Sequence, residues 1–442
     1  MRLGRVTARA LFPVVERLEG RRIRPKLARL RAEAAAPPAT RRRLQVERVA
    51  AMVRHAARHV PHYREAFAAC GFDPRALDEG PAALSAIPPL DRETMMAAGT
   101  RLLDERVDPT ALHVRRTGGS TGRSAAVRYS SDALDWTAAV NLFVREWAGQ
   151  TSDAPEAHLS TAPGIDVPPR DRVREWVKCA SLNRTNLPIE GWDAETLARL
   201  RRDLERTRPA LLHGHPSTVH ALAQHVRECG GAPTRLFDVF ESTGETLDPG
   251  ARKTIEETLG GRVLDRYGSA EFGVVAYERP DGRPGMEILD AVVFAETLPD
   301  GQGHEELVLT GLRNDAMPLL RYRTGDLVRV ACEADEVAGR IVAIQGRVHD
   351  AVRIAGRRVP THVIQDRLDR FGCVEEFQVE VANGAVPRLR VAAPAAEHAR
   401  IRDGVREWWG DGLDLEFAGR ERFVRAGWRG KHRHLVTREA AR

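Results

Sequence analysis

The chain is poor in lysine and in aromatic residues, and it has no long apolar run. Of its 68 basic residues only four are lysine, namely Lys26, Lys178, Lys253 and Lys431. Aromatic residues make up 5% of the 442 residues, and no DNA- or RNA-binding signature accompanies the positive charge, so no nucleic-acid partner is expected. No stretch of 18 uncharged apolar residues occurs, so no integral membrane segment is expected.

Cysteine is also scarce, and its distribution excludes two kinds of site. The five cysteines are odd in number and widely spread, and no CxxC pair occurs. We therefore expect neither a disulfide framework nor a zinc site. Charged residues interrupt the N-terminal segment throughout, which is not typical of a signal peptide. Together these features predict a protein of the reducing cytoplasm.

Positive charge is concentrated at the N-terminal end of the chain. Residues 1–43 contain 13 Arg or Lys and 3 Glu, a net charge of +10, whereas the whole chain carries +6. Such an arm is suited to docking on an anionic membrane or on an acidic partner. The simpler expectation is a solvated helical arm that packs on its own protein or on a second subunit of a homodimer.

The hydrophobic pattern predicts an α/β fold with more than one domain. At 442 residues the chain is too long for one simple core. Amphipathic helices are predicted over 193–206 and 217–229, and short apolar runs lie between the predicted helices, which indicates a sheet with helices on its faces. The pattern becomes strand-rich after residue 286. We predict a basic helical arm over 1–43, a large domain over 44–345 and a small α+β C-terminal domain over 346–442.

A glycine-rich segment offers a site for phosphate. It lies between a strand predicted near 112–115 and another over 125–129, and a helix is predicted at 134–147. Glycine allows dihedral angles that aim successive backbone N–H groups inward, and such a nest binds phosphate oxygens. The spacing differs from the GxxxxGK[ST] pattern, so this is not a Walker A loop; an ordinary surface loop is the alternative. Its residues are Thr117, Gly118, Gly119, Ser120, Thr121 and Gly122.

Three later segments could hold the rest of a nucleotide. The polar turn after the apolar strand at 236–240 contains Gly244, Glu245 and Thr246 and suits recognition of a purine edge by backbone groups; a solvated turn is the alternative. Tyr267, in the run Tyr267-Gly268-Ser269-Ala270-Glu271, could stack on a base. The carboxylate of Glu271 could hold Mg²⁺, which prefers oxygen ligands and bridging phosphates, or it could cap a helix.

Further positions complete the set of candidate residues. Asp326 is expected in a tight turn between two strands, where its carboxylate could accept hydrogen bonds from both ribose hydroxyls. Arg347 and Arg358 are weaker candidates for contacts with the nucleotide, because arginine is common in this chain. Lys431 follows a glycine close to the C terminus, and a mobile ammonium there could stabilise charge moving from a carboxylate to pyrophosphate. Taken alone, such a lysine is usually solvated.

The ordered set of segments resembles the adenylate-forming superfamily of acyl-CoA synthetases, adenylation domains and luciferases. More narrowly, it is similar to the phenylacetate–CoA ligase branch, which includes the CapK-like proteins. The segment with His59, Pro61, Tyr63 and Arg64, the run from Ile87 to Leu90, and the run from His213 to Ser217 all resemble that branch. The similarity covers roughly residues 45–440.

The resemblance implies a fold and two half-reactions. The fold is a large N-terminal domain of mixed sheets and helices, followed by a small mobile C-terminal domain. An acid and ATP give an acyl-adenylate and pyrophosphate with Mg²⁺, and a nucleophile, by family default the thiol of CoA, then displaces AMP. The implied residue roles are Thr117 to Gly122 for phosphates; Gly244, Glu245, Thr246 and Tyr267 for adenine; Gly268 and Ser269 beside them; Asp326 for ribose; Glu271 for the metal; Arg347 and Arg358 near the nucleotide; Lys431 for adenylation; and His349 as the hinge.

The sequence departs from the family pattern at several positions. Gly118 replaces the usual Ser, and Arg123 and Ser124 replace the usual Lys and Pro. Ala270 replaces the Thr or Ser whose hydroxyl normally contacts the AMP phosphate. Losing one such hydrogen bond costs about 0.5–1.5 kcal/mol. Ala270 therefore predicts a slow or specialised enzyme, in which neighbours such as Ser269 compensate.

Three functions remain open at the level of sequence. The first is an acid-activating ligase that transfers the acyl group to CoA. The second is a biosynthetic ligase that transfers it to an amine, a hydroxyl or a carrier protein, and the third is a degenerate nucleotide-binding scaffold. Candidate pocket residues are Ser160, His213 and His215, each of which could equally be a satisfied core or turn residue. Aryl acids are the commonest substrates of the family and are the default expectation.

Overall fold

The structure is a computed structural model, and it describes most of the chain. The described residues are 2–116, 125–160, 169–189, 194–230, 232–299, 304–332, 338–347, 351–361, 364, 367–368, 371, 373–382, 385–426, 431–432 and 434–438. They form a mixed α/β architecture, which confirms the predicted fold class.

The helices lie mostly in the first two thirds of the chain. They are α1 Arg2–Leu18, α2 Ile23–Ala34, α3 Pro38–His59, α4 Pro61–Cys70, α5 Arg92–Ala98, α6 Ser131–Trp147, α7 Pro169–Ser181, α8 Ala194–Thr207, α9 Pro216–Glu228, α10 Pro249–Leu259 and α11 His398–Trp409. Short 3₁₀ helices cover Pro74–Asp78, Pro81–Ala86, Gly99–Leu102, Pro109–Ala111, Ala395–Glu397, Gly410–Gly412 and Arg420–Arg422. Asp91 caps the short helix α5: its carboxylate accepts a hydrogen bond from the Thr94 backbone N–H at 2.7 Å.

The strands are β1 His113–Arg116, β2 Ala126–Tyr129, β3 Glu156–Ser160, β4 Arg184–Pro188, β5 Leu211–Gly214, β6 Val239–Thr243, β7 Arg262–Ser269, β8 Gly273–Glu278, β9 Met286–Ile288, β10 Val293–Pro299, β11 Glu305–Gly311, β12 Tyr322–Cys332, β13 Ala338–Arg347, β14 Ala351–Ile354, β15 Arg357–Pro360, β16 Glu376–Ala382, β17 Arg388–Ala392, β18 Asp414–Phe417, β19 Arg425–Ala426, β20 Lys431–His432 and β21 Leu435–Arg438.

One 11-stranded sheet organises the chain up to residue 347, in the order β10-β11-β12-β13-β9-β8-β7-β6-β5-β3-β4. The strands β4, β3, β5, β6 and β7 run parallel, and the other pairs are antiparallel. Parallel strands covered by helices are apolar on both faces. Leu211 and Val239 accordingly pack in a core with α6, whereas Leu212 and Phe240 pack in a second core with α8, α9 and α10.

The structure corrects the prediction for the segment around Asp326. We expected a tight turn between two strands, but residues 322–332 form the single strand β12. Gly325 has a φ of +76°, and the pairing of β11 with β12 shifts register between Glu306 and Val308. A residue in this left-handed region produces a β-bulge that kinks a strand without reversing it.

The basic N-terminal arm packs on the body of its own chain. Lys26 and Arg21 form ion pairs with Asp132 and Asp135 of α6. Arg31 pairs with Glu146, at the other end of α6, at 2.5 Å. Three basic residues of the arm are thus paired with acidic residues of one helix. Of the helices that the structure describes, none is long and apolar enough to cross a membrane.

The C-terminal elements have a core of their own. Strands β18-β17-β16-β21 form a four-stranded sheet, and β14 pairs with β15. Val379, Leu389 and Val391 of this sheet pack with Ile401 and Val405 of α11 in a separate apolar cluster. The boundaries at residues 43, 345 and 346 stay predictions; helix α3 runs from Pro38 to His59 across the first of them.

The contact between the arm and α6 predicts a stability effect. The buried carboxylate of Asp135 accepts a hydrogen bond from the Arg22 backbone N–H at 2.7 Å and pairs with Arg21. Asp135→Ala leaves that N–H without its acceptor, so we expect the free energy of unfolding to fall by about 1–3 kcal/mol in urea titrations.

The control for Asp135→Ala is Glu47→Ala, which removes an exposed ion pair with Arg43 on α3. Exposed pairs of this kind contribute about 0.3–0.5 kcal/mol, so the control should change little. Equal stability of wild type and Asp135→Ala would contradict the anchoring role of this carboxylate.

Candidate functional site

A hydrogen bond joins the strand that follows the glycine-rich segment to the motif that contains Glu271. Strands β1 and β2 are antiparallel, and Arg116 pairs with Ala126. On β2, the hydroxyl of Tyr129 donates to the backbone carbonyl of Ala270 at 2.6 Å. The chain leaving the glycine-rich segment is therefore fixed next to the turn after β7.

The predicted adenine and ribose residues lie side by side. The hydroxyl of Tyr267 on β7 donates to the carboxylate of Asp326 on β12 at 2.6 Å, and both side chains are buried. Asp326 is also the register partner of Arg347 on β13, which brings the backbones of three predicted nucleotide-binding positions together.

The glycine at position 268 has a packing reason in this site. A Cβ atom there would lie 2.4 Å from the backbone carbonyl oxygen of Gly273. Real Cβ atoms do not approach backbone this closely, so any other residue would push β7 and β8 apart. Next to it, the buried Oγ of Ser269 has no hydrogen-bond partner within the described residues.

Glu271 fits a site with one protein carboxylate. Its side chain is 8% exposed and accepts a hydrogen bond from the hydroxyl of Tyr322 at 3.3 Å. The described residues contain no cluster of three or more His, Cys, Asp or Glu that could hold a metal ion. Mg²⁺ that is bound together with nucleotide phosphates needs only one or two carboxylates, so a lone Glu271 is compatible with that chemistry.

The polar turn after β6 is tied to the next strand along the sheet. Gly244 has a φ of +81°, which turns the chain directly after Thr243. The carboxylate of Glu245 accepts a hydrogen bond from the Ser217 backbone N–H at the start of α9, at 3.2 Å. His215 contacts the Thr243 backbone carbonyl through Nδ1 at 3.0 Å. Gly244, Glu245 and Thr246 thus lie at the carboxyl ends of β5 and β6, where ligands of such sheets bind.

The N-terminal segment that resembles the family supports the strand of Asp326. The buried hydroxyl of Tyr63 donates to the Pro318 carbonyl at 3.1 Å and accepts from the Leu320 N–H at 2.9 Å. Leu90 exchanges backbone hydrogen bonds with Arg321 and Arg323, at 3.0 and 2.9 Å. These bonds fix the entry into β12, and with it the position of Asp326.

The conformation of Arg321 shows that the segment leading into β12 is held firmly. Its φ is +48°, a strained value for a residue with a side chain. The buried guanidinium donates to the carbonyls of Ile87 at 2.6 Å and Ser85 at 3.0 Å. The side-chain bonds compensate for the backbone strain, so the segment before β12 has one conformation.

A buried network of charges underlies the carboxyl ends of the parallel strands. Arg145 of α6 pairs with Glu156 of β3 at 2.7 Å and with Glu241 of β6 at 3.0 Å. His213 of β5 contacts Glu241, and His158 of β3 contacts Glu156, each at 2.6 Å. The outer arginines of the network are Arg266, 3.1 Å from Glu241, and Arg184, 3.5 Å from Glu156.

Burial and charge set the protonation states in this network. Burial lowers the pKa of His158 to about 3 and that of His213 to about 4. Burial raises the pKa of Glu156 and Glu241, but Arg145, the outer arginines and the hydrogen-bonded histidines together more than compensate and keep the pKa of both carboxyls well below its usual value. Near neutral pH the network therefore contains ionised carboxylates and neutral imidazoles.

Several predicted site residues are not tested by this geometry. Thr117, Gly118, Gly119, Ser120, Thr121, Gly122 and the hinge His349 lie outside the described residues. Lys431 lies on β20, where it pairs with Ala426 of β19, and Arg358 lies on β15; the structure describes the side chain of neither, nor that of Ser160 at the end of β3. The roles of all these residues stay predictions.

Sequence reasoning missed the centre of the charge network. It selected His213 and His215, but not Glu241, Arg145, Glu156 or His158. One signal was present: Glu156 and His158 alternate on β3, and His213 and Glu241 interrupt apolar runs. Charged residues are expensive inside a parallel sheet unless they are paired, so their partners could have been sought on neighbouring strands.

The network predicts a loss of stability in mild acid. The unfolded imidazoles of His158 and His213 take up protons below about pH 6.5, whereas burial prevents this in the folded state until about pH 3 to 4. Burial raises the pKa of Asp265 to about 6, so this carboxyl takes up a proton in the folded state and offsets the effect of one of the two imidazoles. We expect the free energy of unfolding to fall by about 1.4 kcal/mol per pH unit at most between pH 6.5 and 4.

Urea unfolding at about pH 7 and about pH 5 measures this loss. The variant His213→Gln lacks one of the two imidazoles and should lose less stability over the same interval. His225→Gln on α9, which lies outside the network, serves as the matched control. An equal loss in wild type and His213→Gln would contradict the role of the His213 imidazole.

No protein-family model matches the chain. The phenylacetate-coenzyme A ligase of Pseudomonas putida is 29% identical over 387 residues, which cover 83% of this chain and 84% of the relative. Protein CapK of Staphylococcus aureus is 24% identical over 58% of this chain and 57% of the relative. Indoleacetate–lysine synthetase of Pseudomonas savastanoi is 29% identical over 129 residues, covering 29% of this chain and 31% of the relative.

The fold has a close match among solved structures. A crystal structure of 2-hydroxyisobutyryl-CoA ligase in the postadenylation state has a TM-score of 0.71 with 20% sequence identity, and it covers 91% of this chain and 90% of that chain. At this identity the match concerns the fold, whereas the sequence relatives carry the family resemblance. The predicted resemblance is confirmed: the sequence relatives are phenylacetate–CoA ligases and CapK at 24–29% identity, and they support an acid–thiol ligase, while the solved structures support the fold.

Proposed function

We propose that the chain activates a carboxylic acid with ATP and Mg²⁺ as an acyl-adenylate, and then transfers the acyl group to CoA. The observation that carries the proposal is the pairing of Tyr267 with Asp326, with Ala270 and Glu271 held next to them by the bonds of Tyr129 and Tyr322. The names of the phenylacetate-coenzyme A ligase relatives support the same reaction class.

In this proposal, the fixed side chains position the nucleotide. The Asp326 carboxylate receives the ribose hydroxyls, and Tyr267, which is held by Asp326, covers the base. The backbone of Gly244 to Thr246 recognises the adenine edge. Glu271 would hold Mg²⁺, which neutralises phosphate charge when it is bound. The acid carboxylate attacks the α-phosphorus and pyrophosphate leaves, so negative charge moves from the attacking to the leaving oxygens.

The second half-reaction restores the enzyme. A thiolate of CoA attacks the acyl carbonyl, and the bond to the AMP oxygen breaks, so that a thioester and AMP are released. The thiol proton goes to solvent. Lys431 belongs to the first half-reaction, where its ammonium would contact both the attacking carboxylate and the α-phosphate. Because it is a point charge on a flexible stem, it can follow this charge as the abundant arginines of the chain cannot.

A second candidate function is supported by one relative. Indoleacetate–lysine synthetase carries in its name a transfer to an amine, and it is 29% identical over part of the chain. In this alternative an amine, a hydroxyl or a carrier protein replaces CoA as the acceptor. Acid-dependent AMP release that requires an amine and ignores CoA would identify it. Nucleotide binding without any acid-dependent exchange would instead favour the degenerate scaffold.

The first test is acid-dependent ATP–pyrophosphate exchange with pooled aryl, fatty and hydroxy acids. We expect exchange with at least one pool, and Lys431→Ala should lower its rate by about 100-fold or more, because one charge-stabilising group of the transition state is lost. Binding of ATP should persist in this variant. Full activity of Lys431→Ala would rule out the proposed role.

The matched control for Lys431→Ala is Lys253→Ala. Lys253 lies on α10 with its side chain 76% exposed, 3.8 Å from Glu257 in an i,i+4 pair. Such pairs contribute little to stability, so exchange by the control should equal that of the wild type.

Position 270 gives a separate prediction. Ala270→Thr restores a hydroxyl where the family has one, next to the unpartnered buried Oγ of Ser269. One regained hydrogen bond of about 0.5–1.5 kcal/mol corresponds to an increase of about 2- to 10-fold in the exchange rate. Ser269→Ala should lower the rate by a similar factor, whereas the exposed Ser85→Ala should not. A slower Ala270→Thr enzyme would show that Ala270 is already adapted to its substrate.

A further inference from the structure

Two histidine rings lie together at the accessible edge of the charge network. His158 of β3 and His213 of β5 are partners in the strand register, and their ring centroids are 4.6 Å apart. The side chain of His213 is 21% exposed, whereas Glu241 behind it is 0% exposed. The network therefore presents imidazole, not carboxylate, to the space at the carboxyl ends of the strands.

The carboxylates fix which nitrogen of each ring carries the proton. An ionised carboxylate only accepts hydrogen bonds, so Nδ1–H of His213 donates to Glu241 and Nε2–H of His158 donates to Glu156, each at 2.6 Å. Burial keeps both rings neutral near pH 7, so the remaining nitrogens, Nε2 of His213 and Nδ1 of His158, carry lone pairs. In the part of the chain that is described, neither of these two atoms has a hydrogen-bond donor.

Donors are present at the same place. The network contains three arginines, namely Arg145, Arg184 and Arg266, against the two carboxylates of Glu156 and Glu241, which leaves one excess positive charge. The buried Nε atoms of Arg184 and Arg266 have no hydrogen-bond partner among the described residues. A group that both donates and accepts a hydrogen bond would satisfy this edge, because buried polar atoms without partners are costly.

The position of His213 suits the tail of an acid bound next to the nucleotide. His213 is the register partner of Glu241, two residues before Thr243 and the Gly244–Thr246 turn. A strand rises by about 3.3 Å per residue, so His213 lies about 10 Å deeper along the sheet than Gly244, where the proposed adenine turn begins. This is the depth of a small acid tail and is too far for a contact with adenine itself.

We propose that the acid carries a hydroxyl group on its tail, which donates a hydrogen bond to Nε2 of His213 and accepts one from a neighbouring guanidinium. This inference rests on the proposed acid activation and specifies its substrate class. It goes beyond the default expectation of an aryl acid, because it specifies a hydroxyl group on the tail.

Other tail groups fit this edge less well. A second carboxylate could accept from a guanidinium, but it has no proton to donate to the two imidazole lone pairs, which would repel it. An ammonium would meet the excess positive charge of the network. An unsubstituted alkyl or aryl tail would bury the lone pair of His213 without satisfying it. A hydroxyl donates to this lone pair and can accept from a guanidinium.

The test compares acids that differ only by one hydroxyl. Matched pairs are phenylacetate and para-hydroxyphenylacetate, benzoate and meta-hydroxybenzoate, and isobutyrate and alpha-hydroxyisobutyrate. The measured quantity is kcat/KM for ATP–pyrophosphate exchange with each acid. We expect the hydroxylated member of at least one pair to be preferred by about tenfold or more, since the deoxy acid leaves polar atoms of the site unpaired.

Variants of His213 assign the preference to this residue. His213→Phe keeps a planar ring but removes the lone pair, so the preference should fall toward unity. His213→Gln retains an acceptor oxygen and should keep part of it, which also covers the case that His213→Phe fails to fold. His225→Phe on α9, which packs on the other face of the sheet, is the control and should leave the ratio unchanged. A loss of activity through misfolding would lower both members of a pair equally.

The outcomes separate this inference from the proposed function. Exchange with equal kcat/KM for both members of every pair would overturn the hydroxylated substrate and leave acid activation intact. A hydroxyl preference that survives in His213→Phe would overturn the role of His213. Absence of exchange with every acid would overturn the proposed function, and with it this inference.

Discussion

The architecture around the site depends on a buried guanidinium. Arg145 enters the sheet from α6 and binds carboxylates on two strands that are not adjacent, Glu156 on β3 and Glu241 on β6, with β5 between them. Buried ion pairs of this kind add little net stability, because desolvation of the charges offsets their attraction. What they do provide is specificity: a shift of any of these strands by one residue would leave a charge buried without its partner. The carboxyl ends of the strands, where the site lies, are therefore fixed in register.

A second set of hydrogen bonds fixes the residues on the nucleotide side of the site. Tyr129 ties the hairpin β1–β2 to Ala270, and Tyr322 and Tyr267 connect β12 with Glu271 and Asp326. Each contact uses a tyrosine whose ring is buried and whose hydroxyl has a polar partner, which suits an interface between an apolar core and a polar site. The chain has only five tyrosines, and four of them make such bonds around this site, namely Tyr63, Tyr129, Tyr267 and Tyr322.

Most of the fold could be predicted from local pattern, because alternating helices and apolar runs report directly on a sheet covered by helices. The helix after the glycine-rich segment, the helices α8 and α9, and the apolar strands between the helices were predicted for this reason. The bulge at Gly325 was not, since Thr-Gly-Asp is equally typical of a turn, and only pairing with β11 decides between them.

The site was predictable only in part, and for a related reason. Tyr267 and Asp326 are far apart in the sequence, and only the set of motifs suggested that they lie together. The hydrogen bond between them depends on the tertiary structure. The charge network was missed because its members are scattered from residue 145 to residue 266 on six elements, and each looks like an ordinary surface charge in the sequence. Charged partners on neighbouring strands can be identified only when the order of the strands in the sheet is known.

The bridge between Leu90 and β12 has a consequence for synthesis of the chain. Leu90 and Tyr63 make their bonds with residues 318–323, more than two hundred residues later in the sequence. At translation rates of about 5–20 residues per second, the nascent N-terminal helices wait on the order of 10–50 s before these partners leave the ribosome. During that interval the apolar faces of α3 and α4 lack their final covering, so the chain is expected to depend on chaperone protection until β12 is made.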